Sequence, residues 1–267
     1  MSHALRSSHT ILTLAFGFLF VAAEARYADA AGRAPENDAP QETTDRDANE
    51  AAPDREEERM RMVKKQIEGR GIQDPEVLRA MRDAQRHLFV PRGLQRHAYE
   101  DRPLPIGHGQ TISQPYIVAF MTEVVRPQPG HRVLEIGAGS GYQAAVLAEL
   151  VDHVYTIEII PELAEWAKAR LGDAGYRNVS VKQGDGFHGW EEHAPFDAIV
   201  VTAASPHIPP PLIEQLKDGG RMIIPVGTPF RTQQLVLVEK QDGEVSTRNL
   251  LPVQFVPFTR APDAARD

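Results

Sequence analysis

The sequence predicts an α/β fold: a doubly wound, mostly parallel sheet, preceded by a helical segment and followed by an antiparallel hairpin. Three observations carry this. Beyond residue 130 short apolar runs alternate with amphipathic ones, the pattern of a parallel sheet covered on both faces. The first of those runs ends in a turn holding Gly137, Gly139 and Gly141. The tail alternates apolar and polar residues about Asp242-Gly243, a hairpin signal.

The elements follow in order. Met60, Val63 and Ile67 recur at helical spacing across 55–69, and Gly69 and Gly71 close that helix. Asp74 is expected to cap a second helix, with Pro75 in its first turn and Val77, Leu78 and Met81 facing inward. Residues 91–107 read as a long connection. GHGQTISQPYIVAFMTE (107–123) is a polar loop entering an apolar helix, in which Ser113 could cap the helix, serve a site, or do both. Strands are expected at 132–137, 153–159, 178–185, 196–204 and 219–227, with helices at 142–151 and 161–175. PPLIEQLKDGG reads as a further helix with proline at its start and glycine at its end.

The ends differ from this middle. Residues 11–23, ILTLAFGFLFVAA, form an apolar run too short for a comfortable membrane span, followed by small-residue sites at Ala23-Glu24-Ala25 and Ala28-Asp29-Ala30. Residues 1–30 are therefore expected to be a cleaved signal peptide and the protein to be exported, in the periplasm, without stable membrane association afterwards. A membrane-anchored N-terminus, or a start at Met60, is the alternative. Residues 31–54 hold no aliphatic side chain larger than alanine, too little apolar surface to offset ordering, and read as a disordered acidic linker. Residues 55–267 remain as the folded domain. The chain of 267 residues has a net charge of −8, which disfavours nucleic-acid partners, and no cysteine, which excludes disulfides, thiolate metal sites and cysteine nucleophiles.

Ligands of open α/β sheets sit beyond the carboxyl ends of the strands. The turn Glu135-Ile-Gly137-Ala-Gly139-Ser-Gly141 lies there, and Tyr142 stands where a dinucleotide turn needs its third glycine. The spacing G-x-G-x-G with an acid two residues before it resembles the class I S-adenosylmethionine methyltransferases. That cofactor carries a sulfonium and an amino acid and no phosphate, so an acid such as Glu135 suits it. Glu158, closing the second strand, is placed for two ribose hydroxyls, and Asp185-Gly186, after the third, for the adenine.

DRPLPIGHGQTISQPYIVAFMTE, VLEIGAGSGYQAAVLAELV, GDGFHGW, APFDAIVVTAA, LKDGGRMIIPVG and FVPFT together resemble the protein-L-isoaspartate O-methyltransferases, in order from about residue 60 to 260. The resemblance implies a Rossmann-like class I fold. It also implies methyl transfer from S-adenosylmethionine to the free α-carboxylate of L-isoaspartyl residues in damaged proteins, beginning their repair. Ser113 aligns with the residue taken as catalytic, within a segment, Thr111, Ile112 and Gln114 included, that meets the substrate. Thr259 falls at a cofactor or substrate contact. Isoaspartyl proteins are the implied partners, a monomer the expected state, and the cytoplasm the usual location of the family. The chemistry agrees with the loop: a carboxylate with a pKa near ~4 is already ionised at neutral pH, so no base is required.

Two other functions fit the same fold: a methyltransferase of a small carboxylic acid, and a cofactor-binding protein without activity. No metal is expected, since histidines 87, 97, 108, 188, 193 and 207 show no ligand spacing. Around Ser140 no G-x-S-x-G elbow forms, which excludes a hydrolase of that type.

Overall fold

A computed structural model describes residues 55–261, and the expected signal peptide and acidic linker lie outside the described residues. The described chain opens with helix α1 (Glu56–Met62), prolonged by a π-turn over Val63–Ile67 and a 3-10 turn to Arg70, and stopped by Gly71 at φ 101°. In α2 (Pro75–Asp83) the Asp74 side chain accepts from the backbone N–H of Glu76 and Val77, the cap the sequence predicts, worth about 1 kcal/mol.

The stretch read as a connection holds more structure than its composition suggests. A 3-10 segment spans Arg92–His97, and β1 (Leu104–Gly107) pairs antiparallel with β2 (Gln110–Ile112). Gly107, His108 and Gly109 all take left-handed backbone to turn between them. Helix α3 (Pro115–Val125) then starts with Gln114 at its N-cap position and no side-chain cap, so Ser113 does not cap it.

The main sheet comprises β3 (Arg132–Ile136), β4 (His153–Glu158), β5 (Val179–Gln183), β6 (Phe196–Val201), β7 (Leu216–Val226), β8 (Gln233–Gln241) and β9 (Glu244–Val253). Its order is β5-β4-β3-β6-β7-β8-β9, with β3 to β7 parallel and the last two antiparallel. Helices α4 (Tyr142–Ala148) and α5 (Pro161–Asp173) follow β3 and β4, and α6 (Pro210–Gln215) precedes β7. Asp242 and Gly243, at φ 53° and 79°, make the expected tight turn between β8 and β9.

One boundary differs from expectation. Helix α6 stops at Gln215, and Leu216–Gly220 belongs to β7, not to a glycine-terminated helix. Leu216 pairs with Phe196 there, so strand β6 captures Leu216 and Lys217 although both are good helix formers, while Gly219 and Gly220 weaken the competing helix.

Alternate residues of each strand enter two separate cores. Val133, Ala198, Val200 and Ile223 join α2, α3 and α4 on one face, while Leu134, Ile136, Ile199, Val201, Met222 and Ile224 meet Leu212 of α6 on the other. Complete burial of such side chains contributes roughly 1.5–3 kcal/mol each. Glu135 lies between Leu134 and Ile136 and is fully buried, the one acid among the residues of β3.

A cleft at the switch point of the sheet

Strand order reverses between β3 and β6, and the chain leaves those strands in opposite directions. A cleft opens at this point. Its floor is Ile136, Gly137 and Gly139, with Glu158 and Ile160 on the β4 side, Gly186 beyond β5, and Thr202 and Ala203 after β6. Gln110 and Thr111 of the β1–β2 hairpin and residues 256–259 of the C-terminal arm form the walls. That arm is tied down where Ala204 N–H donates to Val256 O and Phe258 N–H to Ala204 O, each at 2.8 Å.

The glycine turn has a physical reason at Gly137. Its φ is 96°, and a Cβ there would lie 2.5 Å from Thr202 Oγ1. Gly186 is likewise forced: a Cβ would lie 2.3 Å from Ile136 Cγ2. Gly139 lines the cleft, but Gly141 does not; its open side receives α5, with Leu171 Cγ 3.1 Å from where a Cβ would stand.

The three expected acids are placed differently. Glu158 lines the cleft and holds the turn, its Oε2 accepting from Gly139 N–H at 2.8 Å and its Oε1 from Ile160 N–H at 3.0 Å. A carboxylate has about four acceptor sites, so Glu158 keeps capacity for a diol. Asp185 stands just outside the lining. Its Oδ1 accepts from Phe187 N–H at 3.0 Å, and its Oδ2 from Arg260 Nε at 2.8 Å and Ala261 N–H at 3.1 Å. Burial alone would raise its pKa, but the Arg260 and backbone donors outweigh that and hold it below the usual range.

Glu135 borders a second, smaller cavity with Ser113, Thr111, Ile112, Gly137, Gly139 and Thr202. One oxygen accepts from the Thr156 hydroxyl, and Oε1 has no hydrogen-bond partner. Burial pushes the carboxyl up to about 8; the Thr156 bond opposes this, and the nearby Glu158 charge adds to the rise.

Thus Thr111 touches both spaces, Ile112 and Ser113 only the second, and Thr259 only the first. Gln114 borders neither; its amide donates to Asp101 O at 3.0 Å. Sequence reasoning missed Gln110 and Thr202. The latter's only signal was its place at the end of FDAIVVT, where threonine also serves as an ordinary strand residue. Among the described residues no group of three or more His, Cys, Asp or Glu side chains could hold a metal.

The set fits an adenosine bearing a cationic amino-acid tail. The glycine floor leaves space that side chains would fill, Glu158 retains acceptor sites, and the orphan Glu135 oxygen belongs to a carboxyl that a cationic tail would draw into its ionised form.

Known proteins resemble this chain in sequence and fold. The family model for protein-L-isoaspartate(D-aspartate) O-methyltransferase (PCMT) covers residues 57–262. A protein-L-isoaspartate O-methyltransferase 2 of Polaromonas sp. is 64% identical over 192 residues, 72% of this chain and 91% of the relative. A protein-L-isoaspartate O-methyltransferase 1 of Cupriavidus necator is 64% identical over 191 residues, 71% of this chain and 74% of the relative. Among solved structures, a Plasmodium falciparum chain assigned as a protein-L-isoaspartate O-methyltransferase, in complex with S-adenosyl-L-homocysteine, superposes with a TM-score of 0.67. It is 25% identical, over 76% of this chain and 99% of that one.

Proposed function

The chain belongs to the protein-L-isoaspartate(D-aspartate) O-methyltransferase family, and from that premise we propose how its own residues carry the reaction. The enzyme methylates isoaspartyl residues of damaged proteins from S-adenosylmethionine, the step that begins their repair. The cofactor supplies an electrophilic methyl group on a positively charged sulfur.

The single observation that carries the site reading is the junction of cleft and cavity at Thr111, Gly137, Gly139 and Thr202. It joins a place for a nucleoside to a place bordered by the Ser113 hydroxyl. Gly137, Gly139 and Gly186 form the bed for the cofactor, and Glu158 receives its ribose. Thr259, on the arm, closes the far wall. Glu135 supplies negative charge beneath the amino-acid end once the bound cation draws off its proton. Gly141 acts by seating α4 against α5, and Asp185 by fixing the loop that carries Gly186.

Ser113 orients the acceptor and forms no covalent intermediate. A carboxylate needs no base, and its charge is lost as the methyl arrives. A lysine or arginine gripping it would stabilise the reactant more than the transition state. A neutral hydroxyl, with Thr111 and Ile112 beside it, aligns the oxygen without quenching it. Alignment of this kind is worth up to roughly 7–11 kcal/mol in favourable systems. Gln114 holds the loop to Asp101 and so sets the position of Ser113.

The test uses the full chain, S-adenosylmethionine and peptides differing only in an aspartyl or isoaspartyl linkage, followed by base-labile methyl ester formation. Transfer to the isoaspartyl peptide alone is expected. Transfer to neither, with the cofactor bound, refutes the acceptor assignment and favours a small-molecule acid or a binding protein.

The apolar run at 11–23 and its small-residue sites support export, with residues 55 onward working as a monomeric domain. Cell fractionation and sequencing of the mature N-terminus test the first point; sedimentation tests the second. An intact N-terminus in the cytoplasm would overturn export.

A further inference from the structure

Thr202 follows β6 at the switch point and borders both the cleft and the second cavity. Its backbone N–H donates to Ile136 O at 2.9 Å. Its hydroxyl lies 2.7 Å from Gly137 O and 3.0 Å from Ile136 O. A hydroxyl has one proton and two lone pairs. Both neighbours are carbonyl oxygens, which can only accept, so the proton is committed to the backbone of the glycine turn. What remains for a ligand is an acceptor.

An acceptor with no proton to offer repels a carboxylate and attracts an N–H group. The isoaspartyl carboxylate is therefore turned away from Thr202 and toward Ser113, which borders the same cavity. The order of strands decides which donor meets Thr202. Gly186 follows β5 and Glu158 ends β4, so the adenine and ribose ends of the cofactor occupy the β5 and β4 side of the sheet. The amino-acid end then reaches the β3–β6 junction, where Thr202 stands and where the unpartnered Glu135 Oε1 borders the same space.

We propose that Thr202 receives the α-ammonium group of the cofactor's methionine portion, as a binding residue that fixes the tail and so points the sulfonium at the acceptor. This rests on the methyltransferase reading above. Ser113 and Thr202 form a complementary pair: one hydroxyl free to donate to an anion, the other obliged to accept from a cation.

The experiment compares two ligands by titration calorimetry on the full chain. S-adenosylhomocysteine carries the α-ammonium group; 5′-methylthioadenosine keeps adenine, ribose and sulfur but lacks the amino-acid end. Thr202→Val is expected to weaken S-adenosylhomocysteine about tenfold to a hundredfold, the range for a hydrogen bond to a charged group. The same variant should leave 5′-methylthioadenosine within about twofold, and Thr202→Ser should restore the first affinity, since the hydroxyl is all that is required. Equal weakening of both ligands would reduce Thr202 to a brace of the glycine turn and overturn the assignment, as would no weakening of either. Failure of the wild-type protein to bind S-adenosylhomocysteine would instead overturn the methyltransferase reading on which the assignment stands.

Discussion

Replacing Glu135 with glutamine should stabilise the protein at alkaline pH, and by an amount that grows with pH. The carboxyl is fully buried in β3, with one oxygen bonded to Thr156 and the other unpartnered, and its pKa is raised from 4.5 to about 8. A raised carboxyl means that the folded state holds a proton the unfolded chain would release. The stability attached to that proton is complete below the unfolded value of 4.5 and is lost as pH rises through the folded value of about 8. Each pH unit in between costs about 1.4 kcal/mol. From pH 6 to pH 9 the wild type should therefore lose on the order of 3 kcal/mol relative to Glu135→Gln, with most of the loss complete by pH 8. His153, whose pKa burial and the neighbouring His193 push down, titrates in both proteins and cancels in the difference. The assay is urea unfolding of both proteins, free of cofactor, at half-unit steps of pH. A wild-type-to-variant difference that stays flat across that window would refute the buried, protonated carboxyl.

Four other outcomes follow from the same geometry. Ser113→Ala should bind cofactor normally and lose turnover by one to two orders of magnitude, the scale of about 1.4–3 kcal/mol of lost alignment; unchanged turnover removes its positioning role. Glu158→Gln should weaken cofactor binding, because one of two backbone donors, Gly139 or Ile160 N–H, would face an amide hydrogen; equal affinity in the two proteins would contradict this. Gly186→Ala should cost about 1–3 kcal/mol in unfolding experiments, since its methyl would stand 2.3 Å from Ile136 Cγ2; a neutral result would mean that β3 gives way freely. Cofactor binding at pH 7 should release protons as its cationic end lowers the Glu135 pKa, so the calorimetric heat should vary with buffer ionisation; identical heats in two buffers exclude it.

The sheet was legible because two periods and their punctuation agree along residues 132–253. Apolar runs such as VLEI and AIVV stand apart from the amphipathic runs between them, and Asp242-Gly243 marks a turn that few other residues adopt. The hairpin of β1 and β2 was not, because its strands of 4 and 3 residues are too short for alternation to register. Its turn also depends on His108 taking left-handed backbone, which composition does not announce. The end of α6 was misread for a related reason. Gly219 and Gly220 signal a helix stop locally, but pairing of Leu216 with Phe196 is a long-range contact. In the site, Gly137, Gly139, Glu158 and Gly186 were visible through their places at strand ends and Thr259 through the family resemblance of FVPFT, and all five line the cleft. Thr202 was not, because its meaning depends on which atom takes its proton, and that is fixed by a turn 65 residues earlier in the chain.

The Gly139–Glu158 bond has one more consequence. It spans 19 residues and ties the turn after β3 to the end of β4. The loop that must accept the nucleoside is therefore held by a bond internal to the fold, and ordering entropy that a slack glycine loop would lose on association is lost during folding instead. Association with such a site resembles docking onto a rigid template. Its observed rate should climb in proportion to ligand concentration, with no plateau set by a prior rearrangement of the loop.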